Sequence, residues 1–189
     1  MNADALRPGR HTAMMLSWIL CAAVAAGAGV AAQAAQGATT TPSFPGGANS
    51  LQEAHGDWRV ACEQKGKPCT LSQQLMDSDS RQRILAIELT APAPNSAEGS
   101  LVLPFGLVLD KGITLQIDDD AAGPALRFRT CLPAGCIVAV SFDAKTVATL
   151  RSGTTLTVKA TRDDGREIPF SVSLKGFGSA LDRTAALSK

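Results

Sequence analysis

Four cysteines, set as two close pairs behind an N-terminal leader, constrain this chain more than any other feature. Cys62 and Cys69 form one pair, Cys131 and Cys136 the other. The leader starts with Arg7, Arg10 and His11, runs on as apolar residues from Ala13 to Ala32, and closes on Ala32-Gln33-Ala34. Basic, apolar and A-x-A in that order is the pattern of a cleavable secretory signal, here over residues 1–34. The rival reading is an uncleaved anchor, because about 20 apolar residues can span a bilayer. An Ala/Gly-rich run ending in A-x-A favours cleavage, with no integral membrane span left afterwards. Cys21 follows Ile19-Leu20 rather than a small residue, so it does not read as a lipoprotein site. Arg7 and Arg10 are separated, which leaves no twin-arginine signal.

Export places the remaining four cysteines in an oxidising compartment, periplasmic or secreted, where an even count predicts disulfides. Four cysteines allow three pairings, and the count does not choose among them. Local pairing, Cys62 with Cys69 and Cys131 with Cys136, is favoured because each pair flanks a turn-forming stretch, Gln64 to Pro68 and Leu132 to Gly135. Zinc prefers tighter spacing and preserved thiolates. A redox catalyst wants C-x-x-C, which is absent. The expectation is therefore structural bridges, with no metal and no cofactor.

Charge excludes one class of partner. Losing Asp4, Arg7 and Arg10 with the leader takes Lys+Arg from 18 to 16 and Asp+Glu from 17 to 16, so the remaining body is near neutral. A neutral body has no electrostatic footprint for nucleic acid or anionic lipid. Removing 34 of 189 residues leaves 155, enough for one domain with a real core. Residues 35–54 read as a linker, most clearly in the Thr/Pro/Gly/Ala stretch 36–49, and residues 55–189 as the domain.

Within that domain period two dominates. Trp58, Val60 and Cys62 alternate with polar or small residues. So do Leu85, Ile87 and Leu89; Ile113, Leu115 and Ile117; Leu126, Phe128 and Thr130; Leu156, Val158 and Ala160; and Phe170, Val172 and Leu174. Such runs bury one face, as antiparallel sheets do. Ile137 to Phe142 is apolar on both faces and reads as a central strand covered on both sides. Asp163-Asp164-Gly165 suits a hairpin, and Asp118-Asp119-Asp120 with Gly123-Pro124 a turn between strands. Two short helices are expected. One runs from Asp143 to Leu150 with an acidic cap; the other is C-terminal, Gly178 to Leu187, with Ser179 as its cap. The fold class is all-β: an antiparallel sandwich or barrel-like domain with one or two short helices.

Chemistry is sparse. His55 is the one histidine outside the leader and reads as a solvated loop residue at the domain edge. The aspartate run fails the EF-hand spacing, with Ala122 and Arg129 where ligands would fall. No G-x-S-x-G, phosphate loop or H-E-x-x-H occurs. There is no tyrosine, which weakens any stacking platform for sugars or bases. Arg127 and Arg129, on one strand face beside Cys131, are the candidate contacts for a carboxylate or phosphate; the alternative is a solvated sheet face.

Several short motifs occur in a specific order. Gly56-Asp57-Trp58-Arg59-Val60-Ala61-Cys62 has the form G-D-W-x-V-x-C. Leu103-Pro104-Phe105-Gly106-Leu107-Val108-Leu109 precedes Gly112-Ile113-Thr114-Leu115-Gln116-Ile117-Asp118. Cys131-Leu132-Pro133-Ala134-Gly135-Cys136 is a C-x3-G-C element, and Gly176-Phe177 stands before the closing helix. From about Gly56 to Leu187 the chain resembles the invasion-associated locus B family of bacterial envelope proteins. The resemblance implies an exported, all-β, disulfide-bonded protein with no established enzymatic activity, in a family associated in one branch with host-cell invasion. It supplies no catalytic residues, only the cysteines and the glycine and proline turn positions. The resulting expectation is a non-catalytic interaction module for an unidentified protein or envelope component, with the loops at Pro68 and Pro133 as contact surfaces. The alternative is a binder of a small anion or lipid in the mouth of the β domain.

Overall fold

A computed structural model describes residues 50–63 and 68–188. The expected leader with its expected cleavage site, and residues 36–49, lie outside the described residues. Ten strands form two antiparallel sheets. The first five make a meander: β1 (Ser50–His55), β2 (Trp58–Glu63), β3 (Thr70–Met76), β4 (Arg83–Thr90) and β5 (Ala97–Leu103). A 3-10 turn at Leu109–Lys111 leads to β6 (Ile113–Ile117). β7 (Phe128–Leu132) and β8 (Gly135–Phe142) follow, then helix α1 (Ala144–Ser152). The hairpin β9 (Thr155–Thr161) and β10 (Glu167–Ser173) precedes the C-terminal helix α2 (Phe177–Leu187).

The larger sheet has the order β1-β2-β3-β4-β5-β8-β7 and the smaller β10-β9-β6. Their inner faces share one core. Trp58, Val60, Leu85, Ile87, Leu101 and Val138 come from the larger sheet, and Leu156, Val158, Phe170 and Val172 from the smaller. Each fully buried aliphatic side chain contributes roughly 1.5–3 kcal/mol relative to exposure. The chain crosses between sheets just before β7, where Leu126 bridges Ile113 of β6. The result is the expected all-β sandwich with two helices.

Both helices bury the stripe their periodicity dictates. In α1, Asp143 caps the first turn, its Oδ1 accepting from Thr146 N at 2.8 Å. In α2, Phe177, Ala180, Leu181 and Thr184 face inward, and the Phe177 ring meets Trp58 edge-on at 5.3 Å. The Trp58 indole donates to Ser173 O at 2.9 Å, joining the two sheets through the core.

Four expectations change. Ser50–Ala54, assigned to the linker, form most of β1, because pairing with β2 satisfies their backbone. The Ile137–Phe142 segment is not central. β8 lies next to the last strand of its sheet, and Ala139 and Ser141 on its outer face are exposed; small and apolar residues there signalled a covered face that the fold leaves open. Helix α2 starts at Phe177 with Gly176 as its cap, not Ser179. Gly176 has φ +89°, and a Cβ there would sit 2.0 Å from His55 O, so only glycine admits this close crossing of β1 and α2. His55 is no loop residue but closes β1.

Candidate functional site

The three polar side chains most suggestive of catalysis meet where β1 supports α2. His55 Nδ1 lies 3.3 Å from Ser179 Oγ, and its Nε2 lies 3.4 Å from Glu53 Oε2. A serine, a histidine and an acid in a row invite comparison with a nucleophile relay. Their other bonds give a different role. Ser179 Oγ donates to Gly176 O at 3.0 Å, within its own helix turn. The Glu53 carboxylate accepts both Arg183 Nε and Nη2 at 2.7 Å. The Arg183 guanidinium holds the Glu53 carboxyl down at about 2, against partial desolvation that opposes it. A carboxylate bound in this bidentate way fastens α2 to the sheet.

The aspartate run also has a structural task. Asp118, at φ +46°, accepts from Thr154 N and Thr155 N through its carboxylate at 2.8–3.1 Å. It thereby ties the end of β6 to the start of β9. No group of three or more metal-ligating side chains occurs among the described residues.

Arg127 and Arg129 are both exposed, Arg129 on β7 and Arg127 just before it. They line a surface cleft of about 430 Å³ together with Leu109, Asp110, Phe128 and Thr130. No ion pair is formed by either guanidinium among the described residues. A larger cleft of about 640 Å³ opens between the sheets beside α1, with Leu115, Ile117, Leu126, Val140, Phe142 and Leu156 among its walls. The arginines do not line it. The inter-sheet cleft and the arginine cleft are therefore separate places, because Arg127 and Arg129 follow the Leu126 crossing, just before and on β7.

The cysteines are brought together in two local bridges, Cys62–Cys69 and Cys131–Cys136, with Cα separations of 4.3 and 3.9 Å. Cys62–Cys69 joins β2 to the residue before β3, and both cysteines are buried. Cys131–Cys136 spans the β7–β8 hairpin, where the two residues stand opposite each other in the ladder. Cys136 is buried and Cys131 exposed. Gly135 has φ +133°, and a Cβ there would come within 2.4 Å of Leu103 O on β5. That contact explains the glycine of the C-x3-G-C element. The hairpin tip is anchored from β4 as well, Arg83 Nη2 donating to Ala134 O at 2.6 Å.

This bridged tip sits on a rim that presents apolar groups to solvent. The ladder places the end of β3, the start of β4, the end of β5 and the β7–β8 turn at the same end of the larger sheet. Met76, Phe105 and Leu132, three of the four large exposed hydrophobics among the described residues, lie at or next to that end at 52, 62 and 50 % exposure. Leu132 and Pro133 lie inside the disulfide loop itself. Cysteine spacing marked this loop; that Met76 and Phe105 fall at the same end of the sheet follows from strand order. No helix among the described residues is long and apolar enough to cross a membrane.

Comparison with known proteins follows the same outline. The family profile described as "Invasion associated locus B (IalB) protein" matches residues 58–185. An invasion protein B homolog of Brucella abortus (strain 2308) is 48% identical over 150 residues, covering 78% of this chain and 86% of the relative. Invasion protein B of Bartonella bacilliformis is 35% identical over 167 residues, covering 84% and 89%. The crystal structure of invasion associated protein B from Bartonella henselae superimposes with a TM-score of 0.66 at 36% identity, covering 72% of this chain and 97% of that one. Matching in sequence over most of its length and in fold, the chain belongs to the invasion associated locus B family.

Proposed function

We propose that this protein is exported to the periplasm or beyond and acts as a non-catalytic interaction module that grips a protein or envelope component. The observation that carries this reading is the rim at Cys131–Cys136, where exposed Leu132 lies within a hairpin closed by a disulfide and the Arg83 bond and exposed Phe105 follows β5 at the same end of the sheet. Pre-ordered loops lose less entropy on binding, and apolar anchors in a fixed loop are the usual source of contact energy. The leader supports export, as do two bridges that need an oxidising compartment. The polar clusters, spent on fastening α2 and the β6–β9 junction, support a non-catalytic role. The names of the Brucella and Bartonella relatives describe those proteins.

Cross-linking in intact cells, followed by capture and mass spectrometry, tests the proposal. One dominant partner, lost when Leu132 and Phe105 are both replaced by serine, is the expected result. Capture unaffected by those changes removes the rim from the mechanism. A second reading, a small-anion binder, is favoured only by the two unpaired guanidiniums of Arg127 and Arg129 in their shared cleft. Thermal stabilisation by phosphate or carboxylate compounds, lost in R127Q/R129Q, would establish it.

A further inference from the structure

Among the described residues the two sheets have four lateral edges, and three of them are blunted. At β6, Ile113 exchanges two backbone bonds with Leu126 at 2.9 and 2.8 Å, and Gly123 N donates to Leu115 O at 2.8 Å. At β10, Pro169 has no N–H to offer. Further along β10, the Gln73 side-chain amide stands in for a neighbouring strand. It donates to Ser173 O and accepts from Ser173 N, both at 3.0 Å. At β7 the strand is only 5 residues long, carries a register shift between Phe128 and Thr130, and displays Arg129. Proline, bulges, short length and charge are the devices by which proteins keep edges from pairing.

β1 has none of these. It pairs with β2 in unbroken register from Ser50↔Glu63 to His55↔Trp58. It contains no Pro, Lys or Arg. Its one acidic side chain, Glu53, is already neutralised by Arg183. The two-residue turn Gly56-Asp57 makes His55 and Trp58 a closing hydrogen-bonded pair, so bonding toward β2 falls on His55, Glu53 and Leu51. The N–H and C=O groups of Gln52 and Ala54 then point away from the sheet. Neither residue has a backbone bond beyond β2 among the described residues.

The geometry points to β1 as an assembly edge that takes a second copy of this chain, β1 pairing antiparallel with β1 about a two-fold axis through Gln52. A two-fold pairing is self-complementary, using one surface twice. This register sets Gln52 opposite Gln52, Leu51 opposite Glu53 and Ser50 opposite Ala54, with no like charges facing. Shifting the axis to Glu53 would instead set two Glu53–Arg183 pairs against each other across the seam. The larger sheet would continue from one copy into the other. Because β7 lies at the opposite edge from β1, both β7–β8 rims would stay free at the far ends, giving a bivalent particle. This inference does not depend on the rim being the contact surface.

The test is sedimentation velocity on protein expressed from the full sequence, over a wide concentration range. The expected result is a concentration-dependent dimer. Q52P removes one outward N–H per copy, and Q52K sets two cations face to face at the axis. Each is expected to weaken the dimer at least tenfold while leaving the thermal midpoint of the monomer unchanged. If Q52P misfolds, Q52K still decides the matter. Q52C is expected to form a disulfide-linked dimer on mild oxidation, and Q74C on the outer face of β3 none. A monomer at every concentration overturns the proposal. So does a dimer indifferent to both Gln52 substitutions, or one that forms only after residues 36–49 are deleted, which would assign the edge to that segment.

Discussion

The two disulfide-bridged hairpins have similar chemistry and different surroundings. Cys62–Cys69 and Cys131–Cys136 both close short loops, with sequence separations of 7 and 5. In the chain-entropy account each is worth roughly 2–2.5 kcal/mol. Their neighbours set them apart. The first bridge is buried and lies at the end of α2, where Cys69 N donates to Ser188 Oγ at 3.3 Å. The second leaves Cys131 exposed and stiffens a rim that faces solvent. A bridge therefore acts as a core element or as a surface shaper according to what packs on it, not according to its loop length.

This contrast can be broken by experiment. The largest effect is expected from C62S/C69S. Losing the bridge and burying two hydroxyls should cost about 3–5 kcal/mol in denaturant unfolding. C131S/C136S should cost about 2 kcal/mol, close to the loop term alone, and should reduce partner capture more than it reduces folding. Equal losses in both pairs would erase the distinction, and equal loss of folding and capture would leave the rim without support.

Acidification separates the α2-covered region further. Glu53 has an ordinary value of 4.5 and is held at about 2 in the fold, first by the Arg183 bond. Between those values the unfolded chain binds the proton and the folded one does not. The stabilisation is therefore complete above about pH 4.5 and lost as pH falls toward 2. R183M should flatten that part of the profile of thermal midpoint against pH; an unchanged slope would deny the pair its role. Smaller still, S188A should cost about 0.5–1 kcal/mol by removing the tie from α2 to Cys69 N. Smallest in stability is L132D, expected within about 0.5 kcal/mol of the parent because Leu132 is already exposed. Its effect should appear in capture instead.

Much of the architecture was legible locally. Alternation in Trp58–Cys62, Leu85–Leu89 and Leu156–Ala160 named the inward side chains, and Asp163-Asp164-Gly165 marked the β9–β10 hairpin. Asp143 announced the start of α1. The failures share one cause. Ser50–Ala54 lack the apolar density of a strand and form one because β2 lies alongside. The apolar outer face of β8 says nothing about whether anything covers it. His55 looked solvated because its partners, Ser179 and the Arg183-bound Glu53, depend on a helix more than a hundred residues away.

The residues alone carry the strand faces and the family likeness and favour the local cysteine pairing, since each is written in short-range order: a period of two, a motif's spacing, a turn's glycine. The folded chain decides what those features are for. Which bridge is buried, which edge stays open, and whether Arg127 and Arg129 share a cleft with the inter-sheet mouth follow from strand order and helix docking. These rest on contacts between residues far apart in the chain, and a local pattern carries no record of its distant neighbours.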